Sequence, residues 1–169
     1  MIIISPLETV TEVMAEHPDA FVCGLLGPDM AHPDLSIPET RRLRLTFHDI
    51  SGRRDGMTPP DTRHVRELLA FLERWRGMAA ARPLLVHCWA GISRSPAAAF
   101  IAACMLHPYR EENALAAELR AVAPDVTPNI RMVRLADALL RRNGRMEAAI
   151  RAIGRGAETS WGSVRKWDV

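Results

Sequence analysis

The chain has 169 residues, 48% hydrophobic and 25% charged, with a formal net charge of +2. Those values fit one globular domain whose core needs neither disulfide nor metal. So small a charge excludes bulk attraction to a polyanion such as nucleic acid. The arginines are scattered from Arg41 to Arg165 and Lys166 is the only lysine.

No apolar run approaches the roughly 18–20 residues that cross a bilayer. Met1-Ile2-Ile3-Ile4 lacks the charged flank and long apolar stretch of a secretion signal, so no membrane span and no leader are expected. Three cysteines (Cys23, Cys88 and Cys104) form no framework of spacings, which points to a reducing compartment and a cytoplasmic location. No metal site is expected either. There is no Cys-x-x-Cys, and the six histidines never fall at i, i+4.

In chain order, Ile2–Ile4 and Phe21–Leu26 read as short apolar strands around a helix from about Leu7 to His17. Gly27-Pro28, Pro33 and Pro38 keep the next stretch in loops. Leu43, Leu45 and Phe47 alternate with Arg44 and Thr46, the period of a strand, and a glycine- and proline-bearing loop over residues 51–60 follows. Asp61 or Thr62 is placed to cap a helix whose stripe is Val65, Leu68, Leu69, Leu72 and Trp75. Pro83-Leu84-Leu85-Val86 suits a central parallel strand. Ala97–Leu106 is apolar on nearly every side, as in a buried helix. Further helices are expected over Glu111–Ala121, Asn129–Arg142 and Arg145–Ile153, with a C-terminal tail over 154–169 that either lies on the domain or is a mobile end. Strands alternating with helices, then helices alone, predict an α/β fold: a central, mostly parallel sheet flanked by helices, with a helical C-terminal half. One domain, residues 1–153, carries it.

The segment His87-Cys88-Trp89-Ala90-Gly91-Ile92-Ser93-Arg94-Ser95-Pro96 joins the predicted central strand to the predicted buried helix. Each residue type there has a physical task. Backbone N–H groups of a tight loop at a helix N-terminus form an anion site, so Trp89, Ala90, Gly91, Ile92, Ser93 and Arg94 are candidate phosphate binders. Gly91 admits a turn closed to other residues. Pro96 falls near the first helical position, where its missing N–H costs nothing. Arg94 offers a planar fork to two phosphate oxygens. Such a field also activates a thiol: helix N-termini and nearby cations lower cysteine pKa values from about 8.5 to roughly 3.5–7.5. Cys88 is therefore the candidate nucleophile, Ser95 a donor to the departing sulfur, and His87 a residue that orders the loop by hydrogen bonding.

This segment resembles the signature loop of the protein tyrosine phosphatases, His-Cys-x-x-Gly-x-x-Arg-Ser/Thr, and its Ala-Gly-x-Ser-Arg-Ser form is most similar to the dual-specificity branch. Thr127-Pro128-Asn129 resembles a Ser-Pro-Asn of the same branch. The resemblance implies a phosphoric monoester hydrolase with a cysteinyl-phosphate intermediate, no metal and no cofactor. It implies a phosphorylated substrate, foremost a phosphotyrosine-containing protein, and a loop that phosphate, sulfate or vanadate can occupy. It also implies an aspartate general acid about thirty residues before the cysteine. Asp55, 33 positions upstream in Asp55-Gly56-Met57-Thr58-Pro59, and Asp49, 39 positions upstream directly after a strand, both qualify.

Smaller signals stay open. Cys23 and Cys104 are candidates for a protective disulfide with Cys88 or are small core residues. Trp89 and Ile92 either wall a phosphorylated aromatic ring or pack against a neighbouring loop. Two rival functions share some features. A rhodanese-like sulfurtransferase has a cysteine at a similar junction without the flanking His and Arg-Ser, and a phosphate-reading module keeps the loop's shape without its chemistry.

Overall fold

The computed structural model describes residues 1–78 and 80–169. Five strands make one sheet: β1 (Ile2–Pro6), β2 (Phe21–Leu26), β3 (Arg42–Thr46), β4 (Leu84–Cys88) and β5 (Arg165–Trp167), in the order β3-β2-β4-β1-β5. β1, β2, β3 and β4 run parallel; β5 is antiparallel to β1, so the sheet is mixed at one edge. β4 lies at the centre, and every residue of β1, β2 and β4 is buried. This is why these strands read as unbroken apolar runs rather than alternations. β3 sits at the other edge and keeps its alternation, with Leu45 buried and Arg44 exposed.

Among the described residues six α-helices surround the sheet: α1 (Val10–Glu16), α2 (Thr62–Arg76), α3 (Arg94–Leu106), α4 (Glu112–Val122), α5 (Ile130–Leu139) and α6 (Arg145–Ala152), the last packed on α4 and α5. α1 packs alone on one face, where Val10, Val13, Ile3, Val22 and Leu85 form a small cluster. The main core lies on the other face, around α3. Residues Arg94 to Met105 are all buried, so α3 is enclosed by β4, α2, α4 and α5. Each of its large side chains, Phe100 and Ile101 among them, contributes about 1.5–3 kcal/mol by leaving water. No helix among the described residues is long and apolar enough to cross a membrane.

Local chemistry explains where the elements begin and end. Asp61 caps α2 in a reciprocal box: its Oδ1 accepts from the His64 N–H at 3.0 Å, and its own N–H donates to His64 Nδ1 at 3.2 Å. The first expected helix divides into a 3-10 turn (Leu7–Thr9) followed by α1. α5 ends three residues short of the expected Arg142. Arg141 and Asn143 take φ of 55° and 54°, and Asp137 turns its carboxylate to the N–H groups of Gly144 and Met146 to start α6. Such positive φ values break a helix.

Residues 154–169 lie on the domain, one of the two outcomes expected for them. The stretch supplies β5, which pairs Ile2 with Trp167 and Ile4 with Arg165. Nothing in Arg165-Lys166-Trp167 announces a strand. Its extended shape comes from the open hydrogen-bonding edge of β1.

Candidate active site

The segment from Cys88 to Ser95 leaves the C-terminal end of the central strand and enters α3, at the sheet edge where α/β proteins place ligands. Cys88 ends β4 and is 2% exposed, with Sγ 3.2 Å from Ser95 Oγ. Gly91 takes φ +75°, and a Cβ there would meet Pro6 N at 2.9 Å. Both the turn and the contact with the end of β1 therefore require glycine. Pro96 occupies the third position of α3 rather than the first. The reason it is tolerated still holds, because the first-turn N–H groups have no helical partner.

The backbone of this loop is held from outside. The carbonyl of Trp89 accepts from Leu7 N–H at 3.0 Å, and that of Ala90 from Gly162 N–H at 2.8 Å. The Ile92 carbonyl accepts from Thr127 N–H at 2.9 Å, and that of Ser93 from Asn129 N–H at 3.1 Å. In a trans peptide the carbonyl and the next N–H point in opposite directions. Four carbonyls drawn outward therefore turn the N–H groups of Ala90, Gly91, Ser93 and Arg94 inward. Among the described residues those four donate to no protein acceptor. Together with the α3 N-terminus they form a concave nest of donors, suited to a tetrahedral oxyanion.

Arg94 completes the nest. It is 5% exposed, and its Nη1 donates to the Phe47 carbonyl at 3.0 Å, just beyond β3. Its buried Nε has no hydrogen-bond partner among the described residues and lies 3.7 Å from Asp49 Oδ2. The guanidinium is thus anchored on one side and leaves donors for an anion on the other.

The two aspartates separate clearly in space. Asp49 lies three residues beyond the end of β3 and is exposed, with its side chain 30% accessible. Its Oδ1 accepts from Ser93 Oγ at 2.8 Å and from Asn129 Nδ2 at 2.7 Å, while Oδ2 faces Arg94. Asp55 is exposed on the loop of residues 51–57 and forms no hydrogen bond or ion pair among the described residues. The carboxylate brought to the nest is that of Asp49.

His87 does not behave as expected. Its ring is 1% exposed, Nδ1 has no hydrogen-bond partner, and the expected loop-ordering hydrogen bond is absent among the described residues. It packs instead edge-on against His32, with ring centroids 6.5 Å apart. Burial, assisted by His32 and Arg94, lowers its pKa to about 3, so it is a neutral packing group beneath the loop. Cys23 and Cys104 are free and buried. Burial raises both thiols, that of Cys104 to about 12, as suits small core residues rather than thiolates.

Of the two expectations for Trp89, the structure shows the packing against a neighbouring segment. Its ring meets Trp161 of the C-terminal segment edge-on at 5.2 Å, yet the residue remains 53% exposed beside the nest. Ile92 is half-buried and lines a cleft of about 760 Å³ with Asp125, Thr127, Arg155 and Glu158.

Sequence reasoning missed how far away the loop's supports lie. Asn129 stood out only by resemblance, yet it caps α5 with Oδ1, holds Asp49 with Nδ2 and holds Ser93 with its N–H. Leu7 and Gly162 act through backbone N–H groups, which every residue except proline possesses, so no residue type could have announced them.

Comparisons with known proteins bear on the family and the fold. The family model described as protein-tyrosine phosphatase matches residues 35–135, a span that contains Asp49, Cys88, Arg94 and Asn129. No curated protein matches the chain in sequence. Among solved structures, the chain is similar to human DUSP28 (18% identity, 83% of this chain and 94% of that one, TM-score 0.58). It is also similar to DUSP15 (16% identity, 94% of each chain, TM-score 0.60). A third is the human tyrosine phosphatase-like serine/threonine/tyrosine-interacting protein (18% identity, 84% and 92%, TM-score 0.57). At these identities the structures speak for the fold alone.

Proposed function

Since the chain belongs to the protein-tyrosine phosphatase family, we propose that it hydrolyses phosphate monoesters through a cysteinyl-phosphate intermediate. The nest of inward N–H groups, with the Cys88 sulfur at the start of its loop and the Arg94 guanidinium at its end, carries this reading. In the first step Cys88 Sγ attacks phosphorus and the ester P–O bond breaks. Asp49 gives its proton to the leaving oxygen. The nest and Arg94 stabilise the charge that builds on the equatorial oxygens, where fixed donors are most effective. In the second step water attacks the phosphocysteine and Asp49 takes back a proton. The P–S bond breaks with the Ser95 hydroxyl donating to the departing sulfur, and inorganic phosphate leaves.

Asp49 is chosen over Asp55 because general acids need hydrogen-bond reach, and Asp49 is tied to two members of the nest assembly, Ser93 and Asn129. Of its oxygens, Oδ2 receives no hydrogen bond and is the one to carry the proton. The exposed face of Trp89 beside the nest suits an aromatic leaving group and favours phosphotyrosine-containing proteins as substrates.

The test is hydrolysis of phosphotyrosine, phosphoserine and phosphoinositide substrates by wild type and Cys88→Ser, with vanadate as inhibitor. Vanadate-sensitive turnover that vanishes in Cys88→Ser is expected. Turnover that survives the substitution overturns the mechanism. A wild type that binds phosphate without turning over any substrate would instead be a phosphate-reading module, and thiosulfate–cyanide exchange would mark a sulfurtransferase.

A further inference from the structure

The C-terminal segment reaches the site by routes that no part of the proposed reaction uses. Gly162 donates its N–H to the Ala90 carbonyl at 2.8 Å, and a Cβ on Gly162 would stand 2.9 Å from that same oxygen. One residue earlier, Trp161 sets its ring edge-on to Trp89 and donates Nε1–H to Glu8 Oε1 at 2.6 Å. Upstream, Ala157 N–H bonds to the Pro124 carbonyl at 2.9 Å and Gly156 N–H to Thr127 Oγ1 at 3.2 Å. Thr127 is the residue whose N–H holds the Ile92 carbonyl. Downstream, β5 pairs with β1, and Arg165 reaches Asp125 at 3.2 Å.

The segment is thus fastened at both ends and touches the phosphate loop between them, directly at Ala90 and through Thr127 at Ile92. The Ala90 contact matters most. Whichever way the Ala90 carbonyl points, the Gly91 N–H points the other way. A donor outside the loop therefore selects a peptide orientation that the loop's own sequence leaves open. Opposite it, the backbone of Ser5 and Pro6 closes on Gly91. The loop is pinched between the end of β1 and residues 161–162.

We infer that residues 156–167 are a positioning strap for the phosphate loop, with Gly162 holding the Ala90–Gly91 peptide so that its N–H faces the anion. The inference rests on the phosphatase reading for its consequence in turnover, but not for its consequence in anion binding. Gly162 is a positioning residue and touches no reacting atom. The family match ends at residue 135, so the strap lies outside the span that defines the family.

The experiment titrates inorganic phosphate into the full chain while following the ¹⁵N–¹H shifts of Ala90, Gly91 and Ser93, and measures aryl-phosphate hydrolysis on the same samples. The variants are Gly162→Ala and, as a control on the strap away from the loop, Lys166→Ala, which removes only the pair with Glu16. Misplacing one donor by about an ångström costs on the order of 10²-fold in rate. Gly162→Ala should bind phosphate at least tenfold more weakly and lose kcat by about 10²-fold, with its urea midpoint near that of Lys166→Ala. Lys166→Ala should match wild type in both.

Equal phosphate affinity in wild type and Gly162→Ala overturns the strap, even if the wild type is an active phosphatase. A wild type that binds phosphate but hydrolyses nothing overturns the phosphatase reading and leaves the strap comparison in force. A wild type that binds no phosphate overturns both. Should Gly162→Ala fail to fold, Trp161→Phe, which keeps the aromatic contact and removes the bond to Glu8, carries the comparison, with weakened phosphate binding expected and wild-type binding overturning the strap.

Discussion

Two strand-to-helix connections leave the same edge of the sheet and could hardly differ more. The connection from β4 to α3 is short, with Trp89 its one exposed residue, and four of its carbonyls are held from outside. The connection from β3 to α2 is long, and residues 51–56 are exposed throughout. Both candidate aspartates lie on the long one. Asp49 sits where the long connection is still pinned to the short one, through Ser93, Asn129 and Arg94; Asp55 sits where nothing pins it. On the proposed assignment of Asp49, spacing along the chain is a poor guide to a general acid. What counts is whether the backbone around it is held against the nucleophile's loop.

The contrast can be broken at its strongest point by exchanging the acids. Asp49→Asn should lower turnover of an aryl phosphate by about 10²–10⁴-fold and remove the alkaline limb of the pH–rate profile, as loss of a general acid does. Asp55→Asn should stay within about twofold. The reverse outcome would place the acid on the exposed part of the connection and undo the assignment.

A second contrast lies beneath the pinned loop, in the buried neutral His87. Its folded pKa of about 3 is below the unfolded value of 6.5, so between those values the unfolded chain binds the extra proton. Its stabilising neutrality is therefore complete above pH 6.5 and is lost as pH falls toward 3, at up to roughly 1.4 kcal/mol per pH unit. His32, lowered by its own burial and by Arg44, acts in the same direction. Urea midpoints between pH 7 and 5 should fall in the wild type and fall less steeply in His87→Gln. Equal slopes would show that the imidazole is not held neutral.

The two connections each contain a glycine with positive φ, which sharpens the comparison further. Gly91 (φ +75°) abuts the β1 backbone, whereas Gly56 (φ +72°) faces open space. Gly91→Ala meets both strain and a clash and should cost about 2–3 kcal/mol in urea unfolding as well as most phosphate binding. Gly56→Ala meets strain alone, and about 1 kcal/mol without change in kcat is expected. Asn129→Ala tests the tie between the two connections. Loss of the α5 cap should cost about 1 kcal/mol, while release of Asp49 should lower kcat by roughly tenfold with KM little changed.

How much of this was legible beforehand depended on which atoms do the work. Cys88, Gly91, Arg94 and Ser95, the residues of the proposed site, could be named from the chain alone because the chemistry proposed for them resides in side chains, or in the lack of one, at fixed short spacing. The choice between Asp49 and Asp55 could not be made, since both lie on a connection whose course depends on contacts with Ser93 and Asn129. His87 misled for a related reason. A histidine beside a cysteine suggests a hydrogen bond, and only packing against His32 shows a ring buried without that bond.

The order of strands and helices, the buried nature of α3 and the anion-binding loop were set by apolar periodicity and residue type, which act locally and survive in any one-dimensional reading. The tertiary structure alone decided that residues 165–167 become a strand, that Gly162 and Leu7 turn the loop's peptides inward, and which carboxylate meets the nest. Those outcomes depend on main-chain hydrogen bonds between distant segments. Nearly every residue can make such bonds, so their partners are chosen by the fold and not by residue type.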